Sequence, residues 1–194
     1  MIDVFISHSS QDAKLAEVLG NFLREALSLK PERIRCTSVP LYSLRGGART
    51  ESELRAEIVE AKCFLALITP TSVRAPWVLI EIGARWATDK QLTPLLAKGA
   101  LANSLKGPIT LLNAIRCDEA GMQKLVHEMA KDFGDDAPLP STYRRTLIPL
   151  LNLAKSEIAS PSTSVSLSPL NAPASIDPVI QSMLDAKIKR GLSQ

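Results

Sequence analysis

The stretch CFLALIT, residues 63–69, decides the fold: Cys63, Phe64, Leu65, Ala66, Leu67 and Ile68 follow one another with no polar side chain until Thr69. A half-exposed strand alternates polar and apolar residues, so an unbroken apolar run of this length reads as a strand covered on both faces. Such strands belong to parallel sheets layered between helices.

Working outward from that run, the same alternation of strand and helix recurs on both sides. Upstream, Thr50 and Glu53 form a capping-box pattern for a helix that buries Leu54, Ile58 and Ala61. Before it, Ile34 to Val39 reads as a second strand, and Ala13 to Leu29 as an amphipathic helix closed ahead of Pro31. Its apolar positions Leu15, Val18, Leu19, Phe22, Leu23, Ala26 and Leu27 keep the 3.6-residue period. Ile2 to Ser7 is the first strand, and the polar loop His8 to Asp12 can cap the helix after it.

Downstream, Pro76 stands at a favourable first helical position and opens the helix WVLIEIGAR, residues 77–85. Leu92 to Ala97 reads as a fourth strand and Ile109 to Ile115 as a fifth, joined by an irregular connection. Glu119 to Phe133 is a helix with Met122, Leu125, Val126 and Met129 inward. Strict alternation with short connections predicts an α/β fold, a flavodoxin-like parallel sheet of about five strands with helices on both faces.

Composition shifts after Gly134, which divides the chain into an α/β domain over 1–135 and a C-terminal extension over 136–194. The extension reads as a helix from Tyr143 to Ala154 interrupted at Pro149, then an uncharged Ser- and Pro-rich linker from Ile158 to Ile176. Asp177 and Pro178 then start a terminal helix that ends near Gly191, with Val179, Ile180, Met183, Leu184 and Ile188 along one side.

Several function classes are disfavoured by composition. A net charge of +3, dispersed along the chain, lacks the basic stripe of a nucleic-acid binder. Cys36, Cys63 and Cys117 are odd in number and lack metal-ligand spacing, so they read as free thiols in a reducing cytoplasm, with no metal site. No leader pattern or membrane-length apolar run is present, which predicts a cytoplasmic protein without a membrane partner. Gly-x-Gly-x-x-Gly is absent too, which disfavours hydride transfer with a dinucleotide.

Ligands of open parallel sheets bind at the carboxyl ends of the strands. Glu81 lies about one turn into the helix after the third strand, near that crevice, and is the one carboxylate in an apolar run. Two readings stand side by side: an i, i+4 ion pair with Arg85 on a half-exposed helix, or a pocket carboxylate. Trp77, at i−4, is either a core residue or an apolar platform for a ring.

The segments DVFISHSSQD, LRGGARTESELRAEIVEAKCFLALITPTS and the Trp-x-x-x-Glu of WVLIEIGARWA arrive in order, and together they resemble a Toll/interleukin-1 receptor (TIR) domain of the bacterial type over residues 2–133. The resemblance implies an NAD+ glycohydrolase or cyclase that cleaves the bond between nicotinamide and ribose, giving nicotinamide and ADP-ribose or a cyclic isomer, in anti-phage defence signalling. NAD+ is then a substrate, and no cofactor is implied. Carried over by position, the catalytic glutamate falls on Glu81 and the family's tryptophan on Trp77, and the loop Leu41 to Arg49 gates the site.

Phe5, Ser7 and His8, at the end of the first strand, are further candidates to touch the sugar or base. His8 reads as an ordinary polar loop residue in preference to a catalytic base, because the chemistry needs none and no acidic partner stands at fixed spacing. Arg45, Gly46 and Gly47 suit contacts to the diphosphate, or else Gly46 and Gly47 make a turn and Arg45 is a solvated charge. The chain departs from the family pattern at Gly46-Gly47, where Pro-Gly is frequent, at Ala48, Ala75 and His8. Partners implied are other TIR domains in head-to-tail assemblies and a separate effector that senses the product. The alternative function is a non-enzymatic TIR–TIR interaction module, either an adaptor or a virulence factor acting on host signalling.

Overall fold

The structure, a computed structural model, describes residues 2–39, 42, 50–104 and 107–155. Arg45, Gly46 and Gly47, the linker at 158–176 and the terminal helix expected from Pro178 lie outside these residues.

Five strands form one parallel sheet: β1 (Val4–Ser7), β2 (Ile34–Arg35), β3 (Cys63–Ile68), β4 (Leu92–Leu96) and β5 (Ile115–Arg116), in the order β2-β1-β3-β4-β5. Every pairing is parallel, with Ser7 opposite Ala66 and Ile68 opposite Leu96. The helices are α1 (Ala13–Ala26), α2 (Thr50–Glu60), α3 (Pro76–Trp86), α4 (Glu119–Phe133) and α5 (Arg144–Lys155). No helix among the described residues is long and apolar enough to cross a membrane.

The alternation of side chains along β3 explains why both faces are covered. Cys63, Leu65 and Leu67 point into a core shared with Leu19 of α1, Met122 of α4 and Leu147 of α5. Phe64, Ala66 and Ile68 point into a second core with Ile58 of α2 and Val78 and Ile82 of α3. An apolar residue at every position is what a two-sided strand requires.

Helix ends follow their sequence signals with one exception. Asp118 caps α4 by accepting from Gly121 N–H at 2.8 Å, and Gly134 closes it in the left-handed conformation. Pro76 occupies the first turn of α3, as expected. Asp12, which stands at the N-cap of α1, makes no side-chain cap and turns inward instead. The capping-box reading at α2 depends on the Thr50 side chain, which lies outside the described residues.

Two strands are shorter than the apolar patterns predict. The second ends at Arg35, because the chain then curls: Val39 N–H bonds to Cys36 C=O at 3.1 Å and Cys36 N–H to Tyr42 C=O at 3.0 Å. Val39 is nevertheless buried. The fifth strand is Ile115–Arg116 rather than a run from Ile109, and Gly107–Leu111 forms a 3-10 turn. Ile109, Leu112 and Ala114 pack singly onto the second core.

Pro149 does not interrupt α5, which is continuous through it. Its missing N–H falls on the exposed side, where water can serve the freed carbonyl. Leu147, Leu150 and Ala154 pack into the first core, and Tyr143 meets Phe22 edge to face at 5.4 Å.

The turn from β5 into α4 leaves no room for a side chain at Gly121: a Cβ there would lie 2.0 Å from the Arg116 carbonyl oxygen. Alanine favours a helix over glycine by about 1 kcal/mol, but overpacking against backbone costs about 1–3 kcal/mol. Gly121→Ala is therefore expected to lower the melting temperature. A variant as stable as the parent would show that this turn yields freely.

Candidate functional site

The site is built at the carboxyl ends of β1, β3 and β4, where the strand order places the crevice of a flavodoxin-like sheet between β1 and β3. Because α3 runs back against the strands, its first turns stand at this end and its last turn at the other.

Glu81 is buried, at 7% exposure, and accepts a hydrogen bond from Ser7 Oγ at 2.5 Å. The contact joins α3 to the last residue of β1. Burial pushes the Glu81 carboxyl above its ordinary value, opposed by the Ser7 hydrogen bond. Among the described residues, Glu81 has no cationic partner.

The ion pair with Arg85 that the spacing allows is not formed. Arg85 is completely buried and reaches the other way: Nε donates to Gln91 C=O at 2.9 Å, and Nη1 to Ile58 and Val59 C=O at 3.0 Å each. Nη2 donates to Lys62 C=O at 3.4 Å. The cation caps the end of α2, where unpartnered carbonyls and the negative pole of the helix dipole favour it.

A second polar group lies at the same end of the sheet. Asp12, buried from the loop after β1, accepts from Thr69 Oγ1 at 2.6 Å and from Lys98 Nζ at 2.8 Å. Thr69 Oγ1 also accepts from Ser72 N–H at 3.0 Å, and Ser72 Oγ accepts from Thr69 N–H at 2.8 Å. Three loops are thus tied together at the crevice end of the sheet. Lys98 sits at φ 52°, uncommon for a residue with a side chain, and is held there from two sides, since its N–H bonds to Ala154 C=O at 2.7 Å.

The remaining candidates divide by depth. Phe5 shares its face of β1 with Ser7 but lies one step deeper, stacked on Phe64 with ring centroids 5.1 Å apart, so it is core and not crevice lining. His8 is buried rather than a solvated loop residue, with Nδ1 at 3.1 Å from Ile6 C=O and the ring beside Cys36 Sγ at 3.7 Å. Burial lowers the His8 pKa. The neutral ring carries its proton on Nδ1 to serve that carbonyl. Trp77 is 70% exposed and points into solvent one turn ahead of Glu81, so it is neither core nor packed on the carboxylate.

Sequence reasoning placed the crevice at the loops after the strands, Ser7–Asp12, 70–75 and 98–108 among them, but singled out none of Asp12, Thr69, Ser72 and Lys98 as site residues. A usable signal was the position of Thr69 and Lys98, each at or just after the carboxyl end of an apolar strand. The three cysteines are free and buried, and burial pushes each thiol up to about 12. At such values they are poor nucleophiles.

An open volume of some size lies elsewhere. A cavity of about 840 Å³ at the amino end of β1 and the β2 edge is lined by Asp3, Arg33, Arg35 and Glu57. These four charges are already matched, Arg33 to Asp3 and Arg35 to Glu57. Size alone therefore does not mark the site.

The two charged residues of α3 should respond oppositely to substitution. Arg85→Met removes the donor from buried carbonyls and should cost on the order of 3 kcal/mol or more. Glu81→Gln keeps an acceptor for Ser7 and removes a charge that burial disfavours. A carboxyl raised in the folded state keeps its full contribution below the ordinary value of 4.5 and loses it as pH rises through the folded value. Thermal melts should accordingly show Glu81→Gln at or above the parent at pH 7–8 and level with it near pH 4. A large loss at neutral pH would mean the carboxylate supports the fold.

A family model described as TIR domain matches residues 4–126, more than half of the chain and all five strands. No curated protein matches the chain.

Proposed function

The chain belongs to the TIR domain family, and on that premise we propose that it cleaves NAD+ at the nicotinamide–ribose bond, with Glu81 as the catalytic residue. The observation that carries this reading is a buried carboxylate at the crevice end of the sheet, held by Ser7 Oγ and without a cationic partner among the described residues, Arg85 being engaged elsewhere. A fold that neutralised Glu81 internally would have nothing to offer a cationic substrate.

The chemistry needs few groups. Nicotinamide on ribose is a pyridinium; when the glycosidic C–N bond breaks, the electron pair passes to its nitrogen and it leaves neutral, without a general acid. The ribose carbon becomes oxocarbenium-like, and a carboxylate hydrogen-bonded to ribose hydroxyls stabilises that charge more than it stabilises the ground state. An oxygen nucleophile then forms the new C–O bond and releases its proton, either from water, giving ADP-ribose, or from the same molecule, giving a cyclic isomer. Excluding water long enough for the second course is the task of the loop after β2. Of the segment that follows β2, Tyr42 is described: it is buried, and its hydroxyl donates to Asn21 Oδ1 at 2.7 Å.

Ser7 holds Glu81 by a bond that favours the charged form. Trp77, Arg45, Gly46 and Gly47 remain proposed substrate contacts, and none of them carries this argument. Domains of this family generally self-associate, and we read self-association as part of the activity. The second reading is an interaction module without catalysis; it draws support from the uncharged outer face of α3, where Trp77, Leu79, Ile80 and Trp86 are exposed.

Incubation with NAD+ and chromatographic separation of the products tests the proposal. Glu81→Gln should lower turnover by well over tenfold, a deficit above ~1.4 kcal/mol. Ser7→Ala should keep partial activity, with the acid limb of its pH profile moved to higher pH, because Glu81 loses a bond to its charged form. Specific activity should rise with protein concentration. A parent protein that leaves NAD+ intact at every concentration would favour the interaction module.

A further inference from the structure

The loop after β4 holds a residue that the backbone alone would not choose. Lys98 sits at φ 52° and Gly99 follows at φ 76°. Glycine enters that region at no steric cost, whereas a residue with a side chain is disfavoured there. On backbone grounds position 98 calls for glycine as much as position 99 does. Whatever favours lysine at 98 therefore lies in its side chain.

Lys98 is fixed at both ends. Its N–H donates to Ala154 C=O at 2.7 Å, in the last turn of α5, where helix geometry leaves carbonyls without partners. Its ammonium donates to Asp12 Oδ1 at 2.8 Å, with the Lys98 side chain 16% exposed and that of Asp12 1%. The helix that holds it lies beyond residues 4–126, the stretch that the family model matches. A part of this chain outside the matched region thus sets a lysine at the crevice end of the sheet.

Asp12 passes the constraint on. Its Oδ2 accepts from Thr69 Oγ1 at 2.6 Å. The same Thr69 oxygen accepts from Thr71 N–H at 3.2 Å and Ser72 N–H at 3.0 Å, which shapes the turn leading into α3. On its own side, Asp12 closes the short turn that follows Ser7, its N–H donating to Ser9 C=O at 2.8 Å. Two rungs therefore join the same two segments, Asp12 to Thr69 and Ser7 to Glu81. A buried ion pair adds little stability over well-packed apolar side chains, because desolvation offsets the attraction. What the pair of Lys98 and Asp12 adds is direction.

We propose that Lys98 is a positioning residue for Glu81: held by the end of α5, it aims Asp12 at Thr69 and so keeps Ser7 within reach of the Glu81 carboxylate. The last turn of α5 is then a control point for the site, and loosening it slackens the bond between Ser7 and Glu81. This deepens the reading of Glu81 as the catalytic residue and rests on that reading only for its effect on turnover.

Carbon-13 NMR of the Glu81 carboxyl, titrated in the full chain, tests the proposal without reference to catalysis, and thermal melts verify folding. Removing Lys98 alone would strand the Asp12 charge, so both members are replaced together. Asp12→Leu with Lys98→Met leaves net charge unchanged and should melt near the parent. Its Glu81 carboxyl should titrate at higher pH, by at least half the rise that Ser7→Ala produces, because the Ser7 bond favours the charged form. In a Ser7→Ala background the same double change should add nothing, since its effect runs through Ser7. Asn152→Gly, at an exposed position in the last turn of α5, should speed hydrogen exchange at the Lys98 amide and move the Glu81 titration in the same direction. It decides the matter alone should the double variant fail to fold. A Glu81 titration that stays at the parent's value in these variants, or a rise that persists undiminished in the Ser7→Ala background, would overturn the proposal. On the same samples kcat for NAD+ should fall toward that of Ser7→Ala, with KM changed less. A parent without turnover would sink the reading of Glu81 as catalytic, and the NMR titrations would still decide whether Lys98 positions it.

Discussion

A single guanidinium sets the terms for the rest of this molecule. Arg85 has no exposed surface, and its donors reach two carbonyls at the last turn of α2, one just ahead of β3 and one just ahead of β4, with the cation 5.8 Å from the Phe64 ring. Helix geometry leaves the final carbonyls of α2 without partners. One side chain serves them and fixes two helices and two strand entries together. It can do so because α3 runs against the strands, so that its fourth turn position after Glu81 stands at the amino end of the sheet. Glu81, one turn earlier, stands near the carboxyl end with Ser7. A shared spacing of four residues thus separates a structural cation from a carboxylate that no cation among the described residues neutralises.

How far this was legible in the sequence depends on which physical quantity each pattern encodes. The unbroken run at 63–68 encodes burial on two faces, and the period in α1 and α4 encodes burial on one; those elements appear where expected. The edge strands fared worse for a reason of the same kind. Val39 is apolar because it is buried, yet its N–H closes a turn onto Cys36 instead of joining the ladder. Hydrophobic pattern reports where a side chain goes and says little about which carbonyl an N–H finds. Short edge strands, with neighbours on one side only, are where the two diverge. Pro149 is the converse case: a breaker in sequence, it is accommodated because its unmatched carbonyl faces water.

The site divides along similar lines. Glu81 was conspicuous as a carboxylate in an apolar helix, whereas its partner Ser7 lies 74 residues away and no local spacing announces it. The Asp12 group is joined across 57 and 86 residues, so its pairing was not legible for the same reason, although Asp12 and Lys98 lie in loops expected at the crevice. Phe5 and His8 show a further limit. Strand alternation tells which face a residue occupies and not how deep it lies, and both proved to be buried. Trp77 was singled out by its place four residues ahead of Glu81 and by the family pattern; spacing along a helix puts two residues near one another without saying that either faces the crevice.

Two local rules are broken on α3, and their causes are separable. The inward charges are accounted for by the α2 cap and by the crevice. No contact among the described residues accounts for the outward Trp77, Ile80 and Trp86, since exposed side chains add little to the stability of a monomer. Consistency between local pattern and fold is the general expectation, and departures concentrate where function intervenes. A partner on the outer face can influence Glu81 only if free and bound α3 differ in energy at the inner face. That inner face is held by Ser7 at one end and by four carbonyls on Arg85 at the other, which leaves the helix little room to re-aim its carboxylate. Assembly would then act on the activity by closing the crevice and excluding water, with Glu81 already in position beforehand.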